Sequence, residues 1–258
     1  MIGMTSPDST TASHKRIGLV VPPANTVVET VVPMLLGGVD HVTAHYARLK
    51  VLRTGLDAEA LHQFETAQFR SAIELLADAQ VDVIAWAGCS GSWLGPDAEA
   101  DLKAKVEAAT GIEFFSATQA MMEALQVLGP DRISIAAPYQ LDMVERIIEV
   151  YQAAGFPTVS HAHLDIRSTL EKGRLAPARI RQLVIDAAGP KPGPPIVAPC
   201  TNFKAAPFAA QLEDQLGAVV VDSVAAVVWR ALRSVGAGPL GGNHGILLSS
   251  GGSGDVRN

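Results

Sequence analysis

Cysteine is scarce in this chain. Its 258 residues hold two, Cys89 and Cys200. That excludes a disulfide-dense secreted scaffold and leaves too few thiols for a cysteine-built metal cluster. The histidines do not fall into metal-ligand spacing, so no metal is expected. In a reducing compartment the two cysteines are expected as free thiols, with a single disulfide as the alternative. Charge is scarce too: 18% of residues are Asp, Glu, Lys or Arg, and the net charge is -6. No basic stripe stands ready for a phosphate backbone, so no nucleic-acid partner is expected. A small anion held by local donors remains compatible with that balance. No run reaches the roughly 18 uncharged apolar residues of a membrane span. The opening "MIGMTSPDSTTASHK" has no apolar core of a secretory signal. The expectation is a disordered tail over 1–15 on a cytoplasmic protein without a membrane partner. The glycine-rich "PLGGNHG" lacks the Lys-Ser/Thr pair of a phosphate loop.

The chain does have alternation. Apolar residues make up 48% of it, enough for one large domain or two of about 100–130 residues. "RIGLVVP" (16–22), "HVTAHYARL" (41–49), "VDVIAWAG" (81–88) and "EFFSAT" (113–118) predict strands. Between them lie predicted helices over 25–36, 57–79, 95–111 and 117–129, with Asn25 or Thr26 as the first N-cap. The pattern then restarts. Strands are predicted over 131–138, 158–166, 194–200 and 218–223, and helices over 139–155, 176–188, 204–217 and 224–236. This is α/β architecture with mostly parallel sheets.

The restart points to duplication. Arg16 and Arg132 are 116 residues apart, as are Pro22 and Pro138, and Glu29 and Glu145; Cys89 and Cys200 are 111 apart. The expected fold is two similar Rossmann-like halves about a pseudo-twofold axis, with the active site between them. One half covers 16–120 and carries Cys89; residues 224–248 have the option of packing back on it. The other covers 121–223 and carries Cys200. Residues 249–258 are expected to be a flexible tail.

Both cysteines follow an apolar strand, where open parallel sheets place their ligands. Each is also expected just before a helix, where backbone N–H groups favour a thiolate or bind a carboxylate. Gly88 and Ser90 flank one, and Thr201 and Asn202 follow the other; these are candidate substrate-binding residues, with capping of the following helix as the alternative for Ser90, Thr201 and Asn202. Two thiols across one small cavity can divide acid–base or nucleophilic work at one carbon pair. A lone cysteine would more simply be a buried core residue; a matched pair at equivalent strand ends points to catalysis. Pro22 is placed to fix the loop that holds Asn25. Asp222 and Ser223 end the last strand and border the same edge. Arg48 ends a strand, where meeting an anion and facing solvent are equally open. Trp86 and Trp93 flank the first cysteine as core residues or as an apolar substrate wall.

Four segments, spread over residues 16 to 248, carry a family resemblance. "RIGLVVPPANTVVET", "WAGCSGS", "APYQLD" and "PCTNF" together resemble the aspartate/glutamate racemase superfamily, in its branch of maleate cis-trans isomerases and arylmalonate decarboxylases. The resemblance implies that Asn25 binds a substrate carboxylate and that Tyr139 contacts substrate. It implies Cys89 as a thiolate adding to an alkene carbon, and Cys200 as proton donor and acceptor. It implies no cofactor, a small dicarboxylate or related acid as substrate, and a homo-oligomer. The decarboxylases carry threonine where this chain has Cys89, which favours isomerase or racemase chemistry. The isomerases carry a further asparagine in a segment resembling "DIRSTLEKGR", where this chain has Thr169; that departure leaves maleate itself open. A decarboxylase, a racemase of aspartate, glutamate or hydantoins, and a non-catalytic binder of small acids are the alternatives.

Overall fold

The computed structural model describes residues 14–49, 67–95, 97–189 and 193–249. Most of both expected tails, and residues 57–66 of the expected helix 57–79, lie outside them. The chain builds two four-stranded sheets, each wholly parallel. The first contains β1 (Lys15–Val21), β2 (Val42–Arg48), β3 (Val83–Trp86) and β4 (Glu113–Ser116), in the order β2-β1-β3-β4. The second contains β5 (Ile133–Ala137), β6 (Thr158–His163), β7 (Ile196–Ala198) and β8 (Val220–Asp222), in the order β6-β5-β7-β8. Shifting the strand numbers by four superimposes one order on the other. The duplication expected from residue spacings is thus present in the topology.

Eleven α-helices are described: α1 (Val28–Leu35), α2 (Ala67–Asp78), α3 (Gly91–Leu94), α4 (Asp97–Thr110), α5 (Ala117–Leu128), α6 (Leu141–Ala153), α7 (Thr169–Gly173), α8 (Pro177–Ala187), α9 (Ala209–Leu216), α10 (Ser223–Ser234) and α11 (Ile246–Ser249). Helix α5 follows the last strand of the first sheet, and α10 follows the last strand of the second. These equivalent helices pack on each other, and α10 also reaches α1 and β3 of the first half. A pair of equivalent helices in mutual contact is what a pseudo-twofold relation produces.

The first sheet is apolar on both faces, as a parallel sheet covered by helices must be. Successive side chains point to opposite faces. Leu19, Val21, Val83, Ala85 and Phe115 therefore join the large core shared with the second half. Val20, Ile84, Trp86 and Phe114 join a second cluster under α2 and α4.

Three differences from the predicted elements have local causes. The helix expected over 204–217 opens as a 3-10 turn at Ala206–Phe208. Pro207 has no N–H to give to the carbonyl four residues back, which favours the tighter turn. Helix α6 begins at Leu141, so Tyr139 lies in the loop after β5 rather than on the helix. Strand β6 stops at His163, and Asp165 takes a left-handed φ of 55° that no strand continues. The short helices α3, α7 and α11, of four, five and four residues, carry too little periodicity to read from the sequence.

Candidate active site

All strands of each sheet run in parallel, so their carboxyl ends gather on one edge per half. The loops after β1, β3, β5 and β7 carry Asn25, Cys89, Tyr139 and Cys200 respectively. The two halves bring these edges together, and the loops are tied across the junction. The amide nitrogen of Asn25 donates to Thr201 Oγ1 at 3.0 Å. The Thr201 hydroxyl donates in turn to the Ala87 carbonyl at 3.0 Å. Asn202 Oδ1 accepts the Thr26 N–H at 3.0 Å, while its amide nitrogen donates to the carbonyls of Ala24 (3.3 Å) and Thr169 (2.6 Å). The second-cysteine loop is thereby laced to the first half.

Cys89 and Cys200 are both buried and unbonded to one another. They are close enough that an ionised Cys200 would disfavour ionisation of Cys89. The backbone N–H of Thr201, from the opposite half, points at the Cys89 sulfur. The Ser223 hydroxyl, which has no nitrogen or oxygen partner among the described residues, faces it as well. Cys200 receives the Tyr139 hydroxyl and the Asn202 N–H, and the Lys172 charge reaches it. Burial nonetheless pushes both thiols above their ordinary range. The N–H groups expected to favour thiolates are present, but burial outweighs them. At neutral pH the resting pair is therefore protonated, and an unbalanced negative charge is expensive there.

Tyr139 is buried, and its hydroxyl lies 3.3 Å from the Pro199 carbonyl. Burial, followed by the neighbouring thiols, raises its pKa well above the usual phenol range, so it stays a donor. The edge of Trp93 meets its ring at 5.8 Å between centroids. Trp93 thus shares the cluster of the two cysteines, whereas Trp86 faces Phe69 in the other cluster.

Gly88 has room for no side chain: a Cβ there would run into the Trp86 ring. The Ser90 hydroxyl accepts from Trp86 Nε1 at 3.1 Å and donates to Glu99 at 3.4 Å. Helix α1 is capped at Val27 rather than at Asn25 or Thr26, and without a side-chain bond; Asn25 Oδ1 instead accepts the N–H groups of Val27 and Val28 and closes the turn before the helix. The Pro22 carbonyl accepts the Asn25 N–H at 3.0 Å and closes the turn that presents it. Arg48 pairs with Glu29 at 2.5 Å and donates to the carbonyls of Pro23 and Asn25; it braces that turn. Thr169 opens α7, with its carbonyl on Asn202. The loop after Cys89 does lead into α3, but Cys200 is followed by a turn, and its helical segment begins only at Ala206.

Two buried charged residues near the site, Glu99 and Lys172, carry no distinguishing signal of their own in the sequence. Glu99 is 3% exposed and accepts the Gly91 N–H at 2.8 Å and the hydroxyls of Ser90 and Ser116. Burial pushes its carboxyl up to about 7, against those three hydrogen bonds. Its place in the first turn of α4 reads in the sequence as a mere complement to the helix dipole. Lys172 is 5% exposed on α7. In "STLEKGR" it reads as a solvated face; the cue was Ser168, which caps a helix there by accepting the Glu171 N–H. Among the described residues, no three His, Cys, Asp or Glu side chains gather as metal ligands, and no helix is long and apolar enough to cross a membrane.

Comparison with known proteins identifies the family and the fold. The arylmalonate decarboxylase family model matches residues 17–248. The maleate isomerase of Geobacillus stearothermophilus is 29% identical over 251 residues, covering 92% of this chain and 98% of that protein. The maleate isomerase of Pseudomonas putida is 26% identical over 245 residues, covering 91% and 97%. Among solved structures, a cysteine-to-serine variant of the Nocardia farcinica maleate cis-trans isomerase holds a covalently bound succinylcysteine intermediate. It superposes with a TM-score of 0.79 at 24% identity, covering 92% of this chain and 98% of that one. Arylmalonate decarboxylase itself superposes at 0.72 with 23% identity, covering 90% and 98%. With its duplicated parallel sheets and a family match over residues 17–248, the chain belongs to the arylmalonate decarboxylase family, in the branch of the aspartate/glutamate racemase superfamily that also contains the maleate isomerases.

Proposed function

We propose that this protein is a cofactor-independent cis-trans isomerase of maleate or a related small dicarboxylate. One observation carries the reading: two buried thiols from equivalent strand ends lie within electrostatic reach, each receiving a backbone N–H. The resting pair is neutral, and a charge on Cys200 disfavours a second on Cys89, so a single charge formed during the reaction would move between them. Cys89 passes its proton to a carboxylate of the entering substrate, adds as thiolate to one alkene carbon, and recovers the proton when the product leaves. Cys200 gives its proton to the neighbouring carbon, and the negative charge passes to Cys200. The former double bond is now single and rotates. Cys200 takes a proton back from that carbon, the bond to Cys89 breaks, and the trans diacid leaves. The balance closes without an oxidant or reductant. In the adduct state the Cys200 charge meets the Tyr139 hydroxyl, the Asn202 N–H and Lys172. Backbone N–H groups and the hydroxyls around the thiols supply donors for the enediolate that precedes carbon protonation. The succinylcysteine in the Nocardia farcinica isomerase variant supports the same step by likeness. Asn25 is the proposed donor to a substrate carboxylate, through the amide hydrogen not given to Thr201. Thr201, Asn202, Gly88, Ser90, Pro22 and Thr169 shape and brace the loops around it. Association into a homo-oligomer is part of the reading.

A second reading has one observation in its favour. Trp93 stands edge-on to Tyr139 in the cluster of the two cysteines, a wall suited to an aryl or alkyl group. A substituted malonate losing carbon dioxide, with Cys200 protonating the enediolate, would use that wall. Proton NMR in deuterium oxide separates the two. Wild type, Cys89→Ala and Cys200→Ala are given maleate, substituted maleates, and aryl- and alkylmalonates. Isomerisation lost in both variants supports the proposal. Decarboxylation that survives Cys89→Ala and dies in Cys200→Ala replaces it with the second reading.

A further inference from the structure

Lys172 is a buried charge without a counter-charge in the site. Its ammonium donates to the Arg167 carbonyl at 3.3 Å and stands 4.5 Å from the centroid of the Tyr139 ring. An ammonium has three N–H donors. One long bond to a carbonyl and a ring face leave donors unspent in a side chain that is 5% exposed. Among the described residues no carboxylate forms an ion pair with it. The acidic groups whose charge reaches it are Cys200 and Glu171. It acts on Cys200 through charge and not through a hydrogen bond. A buried, unpaired ammonium is costly, and an apolar side chain would fill the same volume without that cost. A residue held at such a cost beside a reactive thiol has a natural use when an anion enters.

We propose that Lys172 is the cationic anchor for a substrate carboxylate on the Cys200 side of the site, and that it makes the site select acids with a second negative charge over mono-acids. The Tyr139 ring fixes the geometry. Its face carries the ammonium, while its hydroxyl reaches Cys200 and the Pro199 carbonyl. A carboxylate held by Lys172 is thereby set beside Cys200, with the carbon it bears turned to the thiol. This assignment rests on the small-dicarboxylate reading for its substrate, but its test needs no turnover.

The test compares two alkylating reagents of nearly the same size, iodoacetate and iodoacetamide. Cys200 modification is followed by peptide mass spectrometry. Both reagents attack the same thiolate, so the ratio of their rates cancels the thiolate fraction and reports the field felt by the carboxylate. Lys172→Met should lower the iodoacetate-to-iodoacetamide ratio at Cys200 about tenfold or more, while Lys172→Arg keeps it within about threefold of wild type. A second measurement needs no variant. In wild type the ratio should fall with rising pH as Lys172 loses its proton, below the ordinary lysine pKa, because burial lowers it. Equal ratios in wild type and Lys172→Met, or a wild-type ratio flat to high pH, overturn the anchor. A wild type whose Cys200 rejects iodoacetate altogether also overturns it. If the ratio behaves as expected but no diacid is turned over, the isomerase reading fails and the anchor stands.

Discussion

Glu99→Gln should make the protein more stable in alkali. In the wild type, the Glu99 carboxyl is 3% exposed, and burial raises its pKa from 4.5 to about 7. The folded state therefore holds this proton more tightly than the unfolded state does. A group of this kind contributes stability that is fully present below the unfolded value and is lost as pH rises through the folded one. Between pH 4.5 and 7 that loss develops; above 7 it is complete. A shift of about 2.5 units corresponds to about 3 kcal/mol at 1.36 kcal/mol per unit, net of the three hydrogen bonds that oppose it. Glutamine keeps the shape and cannot ionise. Its carbonyl oxygen can take the Gly91 N–H, and its amide can face the Ser116 hydroxyl. Near pH 5 the variant and wild type should melt together. Near pH 9 the variant should lead by up to about 3 kcal/mol, or about 6 °C in a chain of this size. The assay is thermal or urea unfolding followed by circular dichroism at closely spaced pH values. The difference curve between the two proteins is read, so Asp222, also raised by burial, to about 6, cancels. A difference that does not change from pH 5 to 9 refutes the claim that Glu99 is a buried, strained carboxylate.

Further outcomes follow from the same site. Gly91→Ala drives a methyl group into the Glu99 carboxylate and should cost about 1–3 kcal/mol in urea unfolding; an unchanged midpoint contradicts the contact. Asn202→Ala removes the three side-chain bonds to Thr26, Ala24 and Thr169 and should cost about 2–4 kcal/mol. Hydrogen exchange should then quicken in residues 24–28; protection equal to wild type speaks against the lacing. Tyr139→Phe removes a hydroxyl that lowers the Cys200 pKa. The pH profile for alkylation of Cys200 by iodoacetamide should therefore move to higher pH, and an unmoved profile excludes that hydrogen bond.

Much of this was legible in the chain, for reasons that particular residues show. "IGLVV" and "VIAW" carry no polar side chain because both faces of the first sheet are covered, so they read as buried parallel strands. The matched spacings of Arg16 and Arg132, and of Pro22 and Pro138, exposed the duplication because they sit at the two ends of equivalent strands. What escaped was set by tertiary contact. Lys172 and Glu99 occupy ordinary helical positions, and only burial distinguishes them from solvated charges. Thr201 and Asn202 read as candidate substrate binders; that their side chains also lace the two halves, with Thr201 bonded to partners more than a hundred residues away, has no local signal. No local pattern encodes such a pairing. Tyr139 reads as a helix start, yet Gln140 is the N-cap and leaves the tyrosine in the loop, with its hydroxyl toward the second thiol.

The most direct test of the two-thiol account is a trapping experiment with Cys200→Ser. The variant keeps the attacking sulfur; the neighbouring carbon takes its proton from water or the introduced hydroxyl, and the thiolate that would take it back to restore the alkene is gone. It is incubated with maleate, and intact mass and peptide mapping follow. The account predicts a mass gain of one maleic acid, located on Cys89 and absent from Cys89→Ser. A Cys200→Ser protein that isomerises maleate as fast as wild type and carries no adduct would contradict it.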